Sequence, residues 1–431
     1  MNSTVIPIPP SAENVESSYK DAKNMGNKFS FLSTCSVAFR VIQEKRCSQG
    51  SMRKVIHSVK VGIALVLVSL LYLLDPLFTE VGENAMWAIM TVVVVFEFSA
   101  GATLSKGINR AIGTILGGGL GCLAAMLADE FGGIGNAIVV GASVFIVGAA
   151  ATYSRLVPRI KRRYDYGVLI FILTFNLVAV SGVRADKVIR LAKQRLSTIG
   201  MGFAVCIFTN LLIFPIWAGD ELHRSTAAKF DKLARCLEGC LEEEPNNKAE
   251  NLGAKVKDCK SVFHSKSTDE SLANFAKWEP WHGKFGLSHP WDKYLEIGEV
   301  LRELAALILS LGVCVQSSRQ AAANQSRAIR EPCEIIGLSL AWILRELGES
   351  IFNMTRCRAK ALIAPKLEFI KQELSRLGSS LQIKGLEKDE NLAMATFTFL
   401  LMQISENVEV IAQEVEKLGQ LAYFRTKNPD V

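Results

Sequence analysis

The sequence predicts an all-α membrane protein, with six transmembrane helices followed by a cytosolic C-terminal helical bundle. Long apolar runs are confined to residues 55–217 of the 431-residue chain. A polar, proline-containing segment precedes them, and beyond them apolar residues recur at the spacing of amphipathic helices. We therefore predict a largely disordered cytosolic N-terminal region (1–53), a transmembrane domain (54–218) and a cytosolic helical domain (219–431).

Six apolar segments are long enough to be considered as membrane spans. A helix needs about 20 predominantly apolar residues to cross the hydrocarbon core, and fewer where the bilayer thins. The segments are 55–74, 85–100, 108–128, 134–153, 166–183 and 196–217. An even number of spans places both termini on the same side of the membrane.

The charges of the connecting segments set the orientation, because short cytosolic loops are enriched in Lys and Arg. The segment after the second span carries Lys106 and Arg110, and the segment after the fourth carries a basic cluster between residues 155 and 163. Both are predicted to be cytosolic. The segments after the first and third spans are acidic, so they are predicted to face outward while both termini lie in the cytosol.

The segment between the fifth and sixth spans breaks this rule. It contains Arg184, Arg195 and three further basic residues against a lone Asp186, although its predicted side is outward. Two interpretations remain open. Either one span is misassigned, or these cations stay on the outer side because something negatively charged needs them there.

The C-terminal region has the pattern of a packed helical bundle. Apolar residues recur at intervals of three and four in two stretches, neither of which is long enough to indicate a coiled coil. The residues are Leu301, Leu304, Ile308, Leu311 and Val315 in the first stretch, and Ile404, Val408, Ile411, Val415 and Leu418 in the second.

Residues for catalysis or metal binding form no recognisable motif. The ten cysteines are scattered without CxxC spacing, and the five histidines have no motif partner in the sequence. The positive charge lies mainly in and beside the predicted spans, which favours anionic lipid or solute over nucleic acid as a partner. The sequence therefore predicts no enzyme, no catalytic residue, no metal, no cofactor and no nucleic-acid partner.

A glycine-rich run at Gly117–Gly121 has two interpretations. A phosphate-binding loop would follow a strand and continue into Gly-Lys-Ser/Thr, and the sequence shows neither feature. Inside an apolar span, small residues allow two helices to approach closely. The run is therefore predicted to serve helix packing.

Basic residues at both ends of the predicted spans are candidates for an anion route, because rings of Arg or Lys favour anion pores. They are Lys60, Lys106, Arg110, Arg155, Arg159, Arg162, Arg184 and Arg195. The alternative is that these side chains anchor helix ends to lipid headgroups. That alternative is stronger for the cytosolic loops and weaker for Arg184 and Arg195.

Six sequence runs carry a resemblance to a known family. They are His57–Gly62, Ala85–Phe98, Gly101–Arg110, Arg163–Phe175, Phe214–Gly219 and Trp278–Pro280. These runs resemble the plant aluminium-activated malate transporter family, a family of anion channels. The resemblance implies a dimer of six-helix subunits with a cytosolic helical domain, located in the plasma membrane or the vacuolar membrane. The moderate N-terminal extension favours the plasma membrane.

The resemblance also implies roles for individual residues. Lys60, Arg184 and Arg195 match basic residues of functional importance in the family, and Glu279 matches a regulatory glutamate in its Trp-Glu-Pro run. The predicted regulatory residue is therefore Glu279. The predicted anion-pore residues are Lys60, Arg110, Arg155, Arg159, Arg162, Arg184 and Arg195.

Three functions follow as hypotheses. The first is an anion channel for malate and other small organic or inorganic anions, acting as a homodimer in membrane lipid. The second is a proton-coupled secondary exporter of organic or aromatic acids, similar to bacterial efflux proteins of the fusaric-acid-resistance type. Proton coupling needs a titratable carboxylate in the spans, and Glu97 is the candidate. The third is a membrane scaffold that conducts nothing.

Overall fold

The computed structural model describes residues 52–70, 73, 86–181, 185–241, 248–283, 285–286, 288–321, 327–356, 363–383 and 388–425. These residues form thirteen helices and no strand. By compactness the chain divides into two units, residues 1–66 and 67–431. The first unit is described from residue 52 onward and is helical there, within helix α1 (52–70). The predicted disordered region lies almost wholly outside the described residues.

Five further helices occupy the region predicted to lie in the membrane. They are α2 (Met86–Val95), α3 (Ala100–Phe131), α4 (Gly133–Leu156), α5 (Pro158–Val180) and α6 (Ala185–Leu212). Helices α3, α4 and α5 are long and apolar enough to cross a membrane, and they lie at the third, fourth and fifth predicted positions. The apolar segments Met86–Val95 and Leu196–Leu212 are shorter. The six-span arrangement as a whole stays a prediction.

Helices α3 and α5 begin earlier than their predicted spans, because local signals start each helix before its apolar part. The Ser99 hydroxyl accepts a hydrogen bond from the backbone N–H of Ala102 at 3.3 Å and so caps α3. Pro158 occupies the first turn of α5, where its missing N–H is tolerated. The basic residues predicted to lie in the two cytosolic loops are therefore helical.

Glycines on α3 allow close contact with α5. A Cβ on Gly113 would overlap the carbonyl oxygen of Gly167, and a Cβ on Gly117 would lie 2.6 Å from that of Phe171. Gly121, one turn further, also meets α5 at its Cβ position. Small residues at intervals of four let the two backbones approach. This geometry confirms the packing interpretation of the glycine run.

The second half of the chain forms seven helices within its described residues. They are α7 (Ala218–Leu241), α8 (Lys248–Phe263), α9 (Lys266–Ala276), α10 (Trp291–Ala321), α11 (Arg327–Asn353), α12 (Ala364–Ile383) and α13 (Lys388–Leu421). The two periodic stretches lie on α10 and α13 and belong to one hydrophobic core. The residues that are at most 1% exposed are Leu301, Leu304, Ile308, Leu311, Ile404, Val408, Ile411, Val415 and Leu418. The predicted all-α class is confirmed for the described residues, whereas the cytosolic helical bundle stays a prediction.

Two oppositely charged side chains buried in this bundle form an ion pair. Lys229 of α7 and Asp269 of α9 are 4% and 2% exposed, and Nζ lies 2.5 Å from Oδ2. The Ser265 hydroxyl donates to the same oxygen at 2.9 Å, and Arg302 of α10 lies 3.6 Å from it. Burial lowers the pKa of Lys229, and Asp269 opposes that shift. The cluster ties α7, α9 and α10 together.

Candidate functional site

Arg110 of α3 is a buried cation that forms no ion pair with any described residue. Its side chain is only 6% exposed. Nη1 donates a hydrogen bond to the hydroxyl oxygen of Tyr166 on α5 at 3.1 Å, while Nε–H is buried without an acceptor. Among the described residues no carboxylate forms an ion pair with it. Because burial of an unpaired charge is expensive in free energy, the arrangement favours an anionic partner at this position.

Lys106 lies one helical turn before Arg110, but it has a counter-charge. It forms an ion pair with the carboxylate of Glu97, and each side chain of the pair is 34% exposed. Nζ also lies 5.8 Å from the centre of the Tyr166 ring. Since the Lys106–Glu97 pair carries no net charge, Arg110 is the cation beside Tyr166 that has no counter-charge among the described residues.

A polar cluster that the sequence analysis missed holds the break between α2 and α3. Asn210 of α6 is 1% exposed, and its Nδ2 donates to the Thr103 hydroxyl at 2.8 Å. The same amide nitrogen lies 3.3 Å from the carbonyl oxygen of Glu97 and 3.4 Å from that of Ser99. Carbonyl groups that leave the helical pattern need such partners where water is scarce. An isolated Asn in an apolar segment is the signal that identifies such a position.

Arg155, at the end of α4, is ion-paired. Its Nε and Nη2 donate to the two carboxylate oxygens of Asp165 at 2.8 and 3.1 Å. This bidentate contact joins the end of α4 to the first half of α5 and offsets the positive charge of Arg155. Its pore role stays a prediction, and we expect its field at a permeating anion to be weaker than that of Arg110.

The first turns of α5 lie against the helical domain. Arg159 and Arg162 are exposed, and Arg162 lies 3.9 Å from the carboxylate of Glu270 on α9. The guanidinium of Arg163 lies 5.3 Å from the centre of the Trp278 ring. The structure therefore places Arg162 and Arg163 at the boundary between α5 and the helical domain.

The remaining predicted pore residues are described only in part. Lys60 lies on α1, in the first unit, and is buried. Arg184 lies outside the described residues. The backbone of Arg195 is part of α6, but the structure does not describe its side chain. The grouping of these residues with Arg110 along one anion route stays a prediction.

Glu279 accepts hydrogen bonds from the N termini of two helices. The residue is 6% exposed, and its carboxylate accepts from the backbone N–H groups of Ala218 at 2.5 Å and Gly219 at 3.0 Å, at the start of α7. A third N–H, that of Gly101, comes from the start of α3. Helix N termini carry partial positive charge and therefore attract a carboxylate. Burial raises the pKa of Glu279, and the backbone N–H groups oppose that rise.

An aromatic stack lies beside this carboxylate. The rings of Trp217 and His282 are stacked, with centroids 4.0 Å apart and an interplanar angle of 11°. The Nε2 atom of His282 lies 3.8 Å from a carboxylate oxygen of Glu279. The runs Phe214–Gly219 and Trp278–Pro280, which are far apart in sequence, therefore meet at one place.

Two glycines allow the helix starts to come this close. A Cβ on Gly219 would lie 2.6 Å from the Trp291 ring, and a Cβ on Gly101 would overlap the carbonyl oxygen of Phe275. Larger residues would push the helix starts away from Glu279. We name the following set the Glu279 junction: Gly101, Ala218, Gly219, Glu279 and His282.

The family model described as "Aluminium activated malate transporter" matches residues 46–385 of the chain. This match covers most of the chain and includes both the Arg110 site and the Glu279 junction. By name, the family and the similar relatives are transporters and not enzymes.

Three relatives show the degree of similarity. Aluminum-activated malate transporter 13 of Arabidopsis thaliana is 45% identical over 320 residues, which cover 72% of this chain and 59% of the relative. Aluminum-activated malate transporter 2 of Arabidopsis thaliana is 40% identical over 394 residues, 90% of this chain and 79% of the relative. Aluminum-activated malate transporter 1 of Triticum aestivum is 41% identical over 400 residues, 88% of this chain and 84% of the relative.

The coverage differs among these relatives, and the chain spans less than two thirds of the length of the first one. Similarity nevertheless runs through both the apolar helices and the helical bundle, as the matched range shows. These findings confirm the resemblance seen in the six sequence runs. The chain belongs to the aluminium activated malate transporter family.

Proposed function

We propose that this chain is an anion channel that conducts malate and other small organic or inorganic anions across a membrane. The relatives are named for malate transport, and the buried Arg110 is the observation that supports the proposal most directly. A guanidinium without a counter-charge creates a positive potential that a passing anion neutralises. A fixed carboxylate would occupy that position permanently and block this use.

The other basic residues extend the positive potential along the route. The exposed Arg159 and Arg162 are proposed to raise the anion concentration at the cytosolic entrance. Lys60, Arg184 and Arg195 are proposed to line the rest of the route, with a weaker contribution from the ion-paired Arg155. Diffuse charge suits conduction better than a tight cage, because malate must leave as readily as it enters.

The channel is proposed to be a homodimer of six-span subunits in the plasma membrane. Only 6% of an 18-residue apolar stretch of α4 is buried within the chain. Such an apolar face needs lipid or a second subunit as its neighbour. Both partners are therefore part of the proposal.

Glu279 is proposed to regulate conduction by holding the start of α3 against α7. A change of its charge would alter how firmly the two helix N termini are held, without touching Arg110. Glu279→Gln is expected to shift the voltage or anion dependence of opening and to leave anion selectivity unchanged. Current recordings check this, and a changed selectivity would contradict a purely regulatory role.

Charge reversal at the proposed pore residues tests the channel itself. Arg110→Glu, Arg184→Glu and Arg195→Glu are each expected to reduce malate current by about tenfold or more, because a negative residue repels the anion. Recordings from oocytes or from reconstituted protein measure the effect. Arg376→Glu, in an exposed arginine of α12, is the matched control and is expected to leave the current unchanged. Undiminished malate current in properly inserted variants would refute the proposal.

The exporter hypothesis is less well supported, because its carboxylate is already engaged. Glu97 is ion-paired with Lys106, so each cycle of proton uptake would have to break that pair. Reversal potentials discriminate the two functions. A channel follows the anion gradient alone, whereas a coupled exporter shifts its reversal potential with pH at fixed anion concentration. Flux through purified protein would exclude the scaffold.

A further inference from the structure

Arg110 and its neighbour Tyr166 both have hydrogen-bond donor groups that no described residue accepts from. The Tyr166 oxygen accepts from Nη1 of Arg110, so the hydroxyl hydrogen of Tyr166 points elsewhere. The Tyr166 hydroxyl donates no hydrogen bond to a described residue, and Nε–H of Arg110 is buried without an acceptor. A guanidinium and a hydroxyl therefore lie side by side with unused donor capacity.

Nearby carboxylates do not supply the missing acceptor. Glu97 is engaged by Lys106, and Asp165, adjacent to Tyr166 in the chain, is held in a bidentate contact by Arg155. Breaking either pair to serve Arg110 would leave another cation uncompensated. An anion from outside the described residues would supply both the missing acceptors and the missing counter-charge.

We propose that Arg110 and Tyr166 together bind one carboxylate group of the permeating anion, and that Tyr166 thereby favours carboxylates over halides. This inference rests on the proposed channel function. A carboxylate presents two oxygens in one plane, so one oxygen accepts from the guanidinium and the other from the hydroxyl. A chloride ion has no such pair of oxygens and responds mainly to the charge of Arg110. Arg110 supplies the attraction, and Tyr166 supplies the discrimination.

The geometry also indicates why Tyr166 and not its neighbour has this role. Tyr164 is 41% exposed, and its ring lies 5.6 Å from the guanidinium of Arg163. The two tyrosines lie two residues apart on α5, so they face different sides of the helix. Tyr164→Phe removes the same hydroxyl from the same helix and is the matched control.

The test uses the full chain reconstituted in liposomes, with malate on one side and chloride on the other. Tyr166→Phe is expected to lower the malate-to-chloride permeability ratio by about five- to tenfold, the effect of losing one charge-assisted hydrogen bond. Chloride current is expected to persist, because Arg110 keeps its charge. Tyr164→Phe is expected to keep the wild-type ratio.

The outcomes separate this inference from the channel proposal. A ratio unchanged in Tyr166→Phe overturns the inference and leaves the channel proposal standing. Absence of any anion current in the wild-type protein rejects the channel proposal itself. If Tyr166→Phe does not insert correctly, Arg110→Lys replaces it, since Lys keeps the charge but loses the planar fork. The same fall in the ratio supports the carboxylate site, and an unchanged ratio in Arg110→Lys overturns it.

Discussion

The helical domain and the apolar helices bury charged side chains in different ways. In the helical domain, Lys229 lies against Asp269, with Arg302 and a serine completing the cluster. On α3, Arg110 is about as deeply buried, and no carboxylate among the described residues faces it. A cation paired within the protein stabilises the fold, whereas an unpaired one lowers stability and is retained for another reason. Whether a buried cation has a carboxylate partner thus indicates whether its role is structural or functional.

The largest expected effect concerns the paired cluster. Asp269→Ala leaves Lys229 buried without its partner and is expected to lower the free energy of unfolding by about 3–5 kcal/mol. Thermal or denaturant unfolding of the purified protein measures the loss. Glu296→Ala is the control, because that side chain is 56% exposed and its loss is expected to change stability by less than about 0.5 kcal/mol. A similar stability for both variants would show that the cluster contributes little.

The next effect concerns how the apolar helices pack. Gly117→Ala places a methyl group 2.6 Å from the carbonyl oxygen of Phe171 and is expected to cost about 1–3 kcal/mol. Gly119→Ala lies on the same glycine run with nothing within 4 Å of the new methyl group, so it is expected to be neutral or slightly stabilising. The same unfolding measurement compares them. Equal effects would mean that α3 and α5 do not need the close approach.

The features that depend on local pattern were predictable from the sequence. Apolar length identified α3, α4 and α5, and the spacing of residues such as Leu304 and Ile404 identified the bundle core. A glycine run inside an apolar segment was sufficient to predict helix packing. Each of these properties involves residues within a few turns of one another, where periodicity is informative.

The site geometry depends on contacts between distant parts of the chain. Asn210 meets Thr103 across 107 residues, and Glu279 meets Ala218 across 61 residues. Neither contact leaves a periodic signal, because it arises only when separate helices pack. The same holds for the pairing of Arg155 with Asp165, which offsets the positive charge that Arg155 would contribute to an anion route. Residue type alone identified the cations, but only the fold shows which are compensated.

A smaller effect is expected at the Glu279 junction, where a buried carboxylate is held by backbone N–H groups rather than by a cation. Burial raises the pKa of Glu279 above its ordinary value of 4.5, so the folded state holds the proton more tightly than the unfolded state. The contribution of this group to stability is therefore greatest at low pH and declines as the pH rises from about 4.5 through the raised pKa. The stability of the wild-type protein relative to Glu279→Gln is therefore expected to fall across that window.

Unfolding of both proteins over a series of pH values measures this difference. The contributions of the other titrating groups are the same in both proteins and cancel. A relative stability that rises with pH would mean that the N–H groups outweigh burial and that the pKa is lowered.

The smallest expected effect on stability is at Arg110, and it contrasts with the effect of the same substitution at Lys229 in the helical domain. Arg110→Met replaces a buried cation by an apolar side chain of similar length, so the free energy of unfolding is expected to stay within about 1 kcal/mol or to rise. Malate current is expected to fall about tenfold or more in the same variant, because the positive potential is lost. Lys229→Met is the matched control.

In that control the substitution leaves Asp269 buried without Lys229, and the free energy of unfolding is expected to fall by at least about 2 kcal/mol. The loss is smaller than for a fully unpaired charge, because Arg302 remains near the carboxylate. If Arg110→Met destabilised the protein as much as Lys229→Met, Arg110 would have a partner within the folded protein. Its charge would then be structural, and the anion route would have to lie elsewhere. Preserved stability together with lost current would show that the protein tolerates an unpaired cation on α3 because a mobile anion pairs with it in passing.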